Sequence, residues 1–260
     1  MSRRPGNPTR RFVGGNSNSL AGIIHSKSRV SPVLVVIILL GGFLVLSRFY
    51  QHPGGSRVTQ LIDMVEGDFG CTFDVQTAIP LLKKVYGNNM KKVLHVGPDT
   101  CSIVSRLIKE HKTEAWGVEP YDLEDANTGC KKLVKRGLVR VADIKFALPY
   151  RPKSFSLVVI SDVVDYLSPR YLNKTLSDLT RLSTDNLVIF TGYPGESRGK
   201  VQHFTNFGRP AKMRSATWWA RFFVQTNLEE NEAAAMKFEK AAFESSYKPK
   251  CQVFHLHSYQ

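Results

Sequence analysis

Leu148-Pro149-Tyr150-Arg151-Pro152-Lys153-Ser154-Phe155-Ser156-Leu157-Val158-Val159-Ile160-Ser161-Asp162-Val163-Val164-Asp165-Tyr166-Leu167 is the run that decides the fold. Two prolines and a Lys-Ser turn lead into Phe155–Ser161, whose apolar centre is too short for a helix and reads as a strand buried on both faces. An acidic tip follows, then a helix over Tyr171–Leu182. Working outward, the same grammar repeats. Upstream, Thr77–Tyr86 reads as a helix, Lys92–Val96 as a strand, Cys101–His111 as a helix, and Ala115–Val118 and Leu138–Ile144 as strands. Downstream come a strand at Asn186–Thr191, one long helix from Thr217 to Phe243 and a closing strand at Cys251–Tyr259. Short apolar strands alternating with helices predict βαβ units, a parallel sheet and helices on both faces.

In such a sheet, ligands lie beyond the carboxyl ends of the strands, where the strand order reverses. The residues just after each strand are therefore the candidates. Gly97, after the first strand, permits a tight turn in Gly97-Pro98-Asp99-Thr100 and lets a ligand approach the following helix N-terminus. Glu119 ends the second strand, about 20 residues on, where a carboxylate can accept from ribose hydroxyls. Asp143 closes the third strand, and Ser161 with Asp162 the fourth. Each has a plainer role as well: Asp99 and Asp162 as helix caps, His95 as a core histidine, Glu119 and Asp143 as surface carboxylates.

The run Leu148–Leu167, with Glu119 and Asp143 in register, resembles the class I S-adenosylmethionine methyltransferases over about Lys91–Tyr193. The resemblance implies a Rossmann-like doubly wound α/β sheet with one antiparallel closing strand. It also implies S-adenosylmethionine as cofactor, held by Gly97, Asp99, Glu119, Asp143, Ser161 and Asp162. That family carries an acid where His95 stands and further glycines where Asp99 and Cys101 stand. Together with the basic N-terminus and the Val93–Asp99 segment, the whole chain is similar to the plant cotton-Golgi-related proteins, linked to methylesterification of homogalacturonan pectin.

The rest of the chain suits that setting. Of 36 Lys and Arg against 22 Asp and Glu, six basic residues and no acid lie in residues 1–29 and only Arg48 in 30–50. That leaves 29 basic and 22 acidic residues, +7, for 51–260. Residues 33–46 carry no polar side chain, and 30–50 suffices for a bilayer span of roughly 20 residues. The reading is a disordered cytosolic tail (1–29), a signal anchor (30–50), a stem (51–74) and a lumenal domain (75–260). The basic lead keeps the N-terminus in the cytosol, and the short span suits the thinner early-secretory membranes of the Golgi or ER. Cys71, Cys101, Cys130 and Cys251 all follow the anchor, an even number on the oxidising side, and allow three pairings. Asn173-Lys174-Thr175 is a glycosylation sequon.

Between Gly192 and Arg221 the chain interleaves basic and aromatic residues. Arg209, Lys212 and Arg214 are expected to grip uronic carboxylates, and Trp218 or Trp219, about 100° apart on a helix, to face a sugar ring while the other enters the core. A polyanionic pectin chain, the Golgi membrane and other pectin-synthesis enzymes are the expected partners. Nucleic acid is not, given a lumenal domain. A uronic carboxylate is ionised near neutral pH, so methyl transfer to it requires no general base and none is assigned. Two rivals stand beside this reading: a non-catalytic partner of another pectin methyltransferase, and a pectin methylesterase. The sequence has no Gly-x-Ser-x-Gly elbow for the second.

Overall fold

The computed structural model describes residues 70–258 except Tyr121 and 196–209. The expected tail, the anchor, most of the stem and Arg209 lie outside the described residues. Among those described, no helix is long and apolar enough to cross a membrane.

Seven strands form one sheet in the order β3-β2-β1-β4-β5-β7-β6. The strands are β1 (Lys92–Val96), β2 (Glu114–Glu119), β3 (Val139–Val141), β4 (Phe155–Ser161), β5 (Ser183–Thr191), β6 (Leu228–Glu230) and β7 (Gln252–Ser258). β1 to β5 run parallel. Only β7 is reversed, paired antiparallel with both β5 and β6. The doubly wound sheet with one antiparallel strand is thus present, and that strand is interior rather than marginal.

The helices are α1 (Gly70–Tyr86), α2 (Thr100–His111), α3 (Thr128–Lys135), α4 (Pro169–Leu182), α5 (Ala216–Gln225) and α6 (Glu232–Glu244). Two apolar clusters cover the two faces of the sheet. One joins Val75, Ile79 and Leu82 of α1 and Phe238 of α6 to Val93, Leu157 and Val188. The other joins Leu172, Leu176 and Leu179 of α4 and Trp219 of α5 to Leu94, Val158 and Ile189. Successive residues of one strand thus enter different clusters, as the two-residue period of a pleated strand requires. Gly117 of β2 lets α2 approach: a Cβ there would stand 2.8 Å from Thr100 Cγ2 and 3.0 Å from Val104 Cγ2.

Three expectations change. α1 begins at Gly70, inside the stretch read as stem. Its buried positions Cys71, Val75, Ala78, Ile79, Leu82 and Tyr86 have the helical spacing that signals it. α3, between β2 and β3, was not expected; Asn127 caps it by accepting from Cys130 N–H at 2.9 Å. The single helix Thr217–Phe243 is two helices with an edge strand between them. Asn227 turns left-handed (φ 54°) and ends α5. Leu228–Glu230 then pair with β7, and the Asn231 side chain accepts from Ala234 N–H at 3.0 Å to start α6.

Of the three cysteine pairings, the fold adopts Cys71–Cys251 and Cys101–Cys130, with Cα–Cα distances of 5.6 and 5.3 Å. The first ties the start of α1 to the residue before β7. The second ties α2 to α3.

Candidate functional site

The strand order reverses between β1 and β4, so the loops after these two strands meet at the switch point. Gly97 and Asp99 follow β1, and Ser161 and Asp162 end β4, as the sequence places them. Both loops contain a non-glycine residue with positive φ. Asp99 has φ 49°, ψ 33°, and so retains the left-handed turn while standing where a glycine is otherwise expected. Asp162 has φ 59°, ψ −45°, a conformation L-residues rarely hold unless their surroundings fix it.

What fixes Asp162 is the start of α1. Its carboxylate accepts from Cys71 N–H (3.3 Å), Thr72 N–H (2.7 Å) and the Thr72 hydroxyl (2.8 Å). Proton directions in the adjoining groups then follow. The Thr72 hydroxyl hydrogen goes to Asp162, so in the 2.6 Å contact between Thr72 Oγ1 and Ser161 Oγ, Ser161 must donate. The 3.1 Å contact between His95 Nε2 and Ser161 Oγ is then donated by histidine. His95 Nδ1 is left as the acceptor of the Thr100 hydroxyl at 2.8 Å, a shorter contact than the 3.4 Å from the same hydroxyl to the His95 carbonyl. Burial pushes the His95 pKa down to about 3, which keeps the ring neutral with this tautomer. Thr100, His95, Ser161, Thr72 and Asp162 thus form one oriented hydrogen-bond chain, all of it buried.

The arrangement of that chain bears on one rival. A serine esterase needs histidine to accept the serine proton at one nitrogen and to be held by a carboxylate at the other. Here Nε2 donates to Ser161, Nδ1 faces a threonine hydroxyl, and Ser161 is 0% exposed. The serine–histidine pair of this fold is not a nucleophile and base.

Glu119 ends β2 as expected, but it is 3% exposed and accepts from Thr100 N–H at 3.1 Å. Asp99 occupies the cap position of α2, where its backbone carbonyl accepts from Ser102 N–H at 3.1 Å and its side chain makes no capping bond. Its carboxylate accepts instead from Ser102 Oγ (2.7 Å) and Gln76 Nε2 (3.1 Å), and burial raises its pKa. Asp143 lies two residues beyond the short β3, in a turn. It accepts from Lys145 N–H at 3.0 Å, pairs with Lys145 Nζ at 3.2 Å and is largely open to solvent. It stands apart from the buried cluster.

S-adenosylmethionine would need a hydroxyl acceptor at the β2 tip and open ground beside the β1 and β4 tips. Glu119, Ser161 and Asp162 are all closed off, and the free face of Gly97 is filled: a Cβ there would stand 2.8 Å from the Ser161 carbonyl oxygen and 3.2 Å from His95 Cε1. In this arrangement the protein's own groups occupy these positions.

Across the switch point, Asp165 anchors the segment that leads to α5. Its carboxylate accepts from the Thr191 hydroxyl and from Gly192 N–H (3.0 Å), and its carbonyl from Lys212 N–H (2.7 Å). Lys212 is exposed, as a carboxylate grip requires. Arg214 is a correction: it is 5% exposed and donates to the carbonyls of Leu167 (2.7 Å), Val164 (3.2 Å) and Lys212 (3.2 Å). It pins the 3₁₀ turn Val163–Tyr166 to the start of α5 rather than meeting an acceptor. Trp219 is fully buried, whereas Trp218 is half-buried, stacked on Phe222 and 4.7 Å from the Arg214 guanidinium. One tryptophan therefore enters the core and the other lies at the margin. Asn173 is exposed on α4.

Thr72, Gln76, Thr100 and Asp165 complete these networks, and reading the residues after each strand did not find them. Thr72 and Gln76 lie on a helix 90 and 23 residues from the groups they bind.

A seven-stranded doubly wound sheet with a single reversed strand and acidic strand tips defines an α/β protein of methyltransferase-like architecture. Among solved structures the chain is similar to Haemonchus contortus phosphoethanolamine N-methyltransferase 2 in complex with phosphomonomethylethanolamine and S-adenosylhomocysteine, at 12% identity, over 71% of this chain and 53% of that one, with a TM-score of 0.46. No protein-family model matches. Two Arabidopsis thaliana proteins align nearly end to end. "Probable pectin methylesterase CGR2" is 59% identical and "Probable pectin methylesterase CGR3" 58% identical, each over 98% of both chains. The chain belongs to the CGR2/CGR3, or cotton-Golgi-related, family.

Proposed function

We propose that the chain forms methyl esters on homogalacturonan, transferring methyl from S-adenosylmethionine to galacturonate carboxylates on the lumenal side of the Golgi membrane. The observation that carries this reading is the switch point itself. The β1 and β4 loops, both holding a strained aspartate, meet there with Glu119 one strand away. Family membership supplies the pectin link, and the reversed polarity of the His95–Ser161 pair speaks against the hydrolytic direction. Lys212 and Trp218 stand on the acceptor side of this reading.

A second reading, a non-catalytic partner in pectin synthesis, is favoured by one observation: the polar groups at the strand tips are bonded within the chain. The two readings meet at Asp162. Methyl transfer requires the start of α1 to leave that carboxylate; a partner protein does not. Titration of the full-length chain with S-adenosylmethionine, followed by labelled-methyl incorporation into polygalacturonate, separates them. Saturable binding with base-labile label in the polymer supports transfer. Absence of cofactor binding by the folded chain, with pectin binding retained, selects the partner reading. Methanol release from methylated pectin would overturn both in favour of hydrolysis.

A further inference from the structure

At the β3 corner of the sheet, away from the switch point, the segment after β3 lies along α4 and is held there at intervals. The Thr175 hydroxyl donates to the Ile144 carbonyl (2.8 Å), and Asp178 accepts from Leu148 N–H (2.8 Å). Arg181, paired with Asp178 at 2.7 Å, donates to the carbonyls of Tyr150 (3.2 Å) and Leu148 (3.4 Å). A loop pinned this way displays its side chains on a fixed platform. Two of them run against ordinary surface composition: Phe146 is 64% exposed and Tyr171, on the facing turn of α4, 43%. Each ring is paired with a lysine from the opposite element. Lys174 Nζ of α4 is 5.4 Å from the Phe146 ring centre, and Lys145 Nζ of the loop is 5.9 Å from that of Tyr171. On the same segment Arg140 stands 5.6 Å from the ring centre of Tyr150.

Isolated exposed apolar residues need no explanation, but rings crossed with cations on a rigid loop have a specific chemistry. Such rings offer flat apolar faces to the C–H faces of sugars, and the ammonium groups beside them meet carboxylates at the ring edge. A neutral polysaccharide would offer no carboxylate to Lys174, and an apolar peptide would have to desolvate the cations. Asp143 offsets one cation through its pair with Lys145, while Lys174, Arg140 and the exposed Arg170 keep the balance positive. We propose that Phe146, Tyr171, Lys145 and Lys174 form a binding surface for a chain of uronic acid residues.

This inference rests on the pectin reading above and gives it a docking surface separate from the strand-tip crevice. β3 and β5 lie four strand spacings apart, roughly 19 Å, so a polymer seated on this corner can extend along the carboxyl edge towards Lys212 and Trp218.

The test is the affinity of the full-length protein in detergent for oligogalacturonate and for its fully methyl-esterified counterpart, in wild type and in the variants F146A/Y171A and K174Q. Neither altered ring is buried, and thermal unfolding checks that the variants fold. Wild type should bind the charged oligomer, with binding weakened by salt and by esterification. F146A/Y171A should lose about tenfold in affinity and K174Q about threefold. Unchanged binding by F146A/Y171A overturns the surface and leaves the pectin reading standing. A wild type that binds no oligogalacturonate overturns the surface outright. Surface-dependent binding in a protein that transfers no methyl group supports the surface while it sinks the methyl-transfer reading.

Discussion

The middle and one end of the sheet's carboxyl edge are built in opposite ways. At the β1–β4 switch, where the sequence directs attention, five polar side chains donate and accept among themselves and none reaches solvent. At the β3–α4 corner, aromatic and cationic side chains face outward from α4 and from a loop fixed by hydrogen bonds to its backbone and by the buried Ile144 and Leu148. The first region is built like a core that happens to be polar, and the second like a recognition surface. Residue type alone does not separate them; an aspartate at a strand tip and a phenylalanine in a loop have here exchanged their usual roles.

The difference can be broken from the closed side first. Removing the Cys71–Cys251 bridge by double serine substitution frees a loop of 180 residues, for which chain-entropy arguments give about 5 kcal/mol, against about 3.5 kcal/mol for the 29-residue Cys101–Cys130 loop. Chemical unfolding of the two double variants should show the first as the more damaging. An equal or reversed ranking would mean that Cys71 does not secure the start of α1. Next in size is Asp162→Ala. It leaves two backbone N–H groups and a hydroxyl buried without their acceptor, and should cost about 3 kcal/mol or more. A loss below about 1 kcal/mol would show that water reaches this corner after all.

Acid sharpens the same comparison. Burial holds His95 at about 3 and His255 at about 4, so both are neutral when folded, whereas the unfolded chain takes up these protons near 6.5. Unfolding therefore binds protons between those limits. Stability from these histidines is complete above about pH 6.5 and declines as pH falls below it. Buried Asp74 and Asp99, whose pKa values are raised, act in the opposite sense. The informative measurement is thus the difference between wild type and His95→Gln. The variant should be the less stable at pH 7.5, with the gap narrowing by pH 5; a constant gap would contradict a neutral His95. On the open side the effect on stability should be smallest. Phe146→Ala should change unfolding free energy by no more than about 0.5 kcal/mol, as for an exposed position. A larger loss would return Phe146 to the fold.

Much of the sheet was legible because strands buried on both faces leave short, mainly apolar runs, of which Leu157–Ile160 in β4 is the unbroken case. β6 was not, because three residues of an edge strand between two helices carry no period of their own; Asn227 and Asn231 were the available signals. At the site, positions could be read but not states. Glu119, Ser161 and Asp162 are where strand ends place them. Their burial depends on Thr72 and Thr100, and for Asp162 that partner lies 90 residues away. Arg214 shows the same limit in reverse, because the carbonyls that draw it inward belong to a turn some 50 residues earlier.

The Cys71–Cys251 bridge also sets how the folded body carries mechanical load. A pull on the chain ahead of Gly70 meets Cys71 one residue into α1 and crosses through two sulfur atoms to the residue beside β7. β7 has ladders on both edges, six paired positions to β5 and three to β6. Tension from that side is therefore shared between two ladders at once, and α1 is not peeled from the sheet one turn at a time.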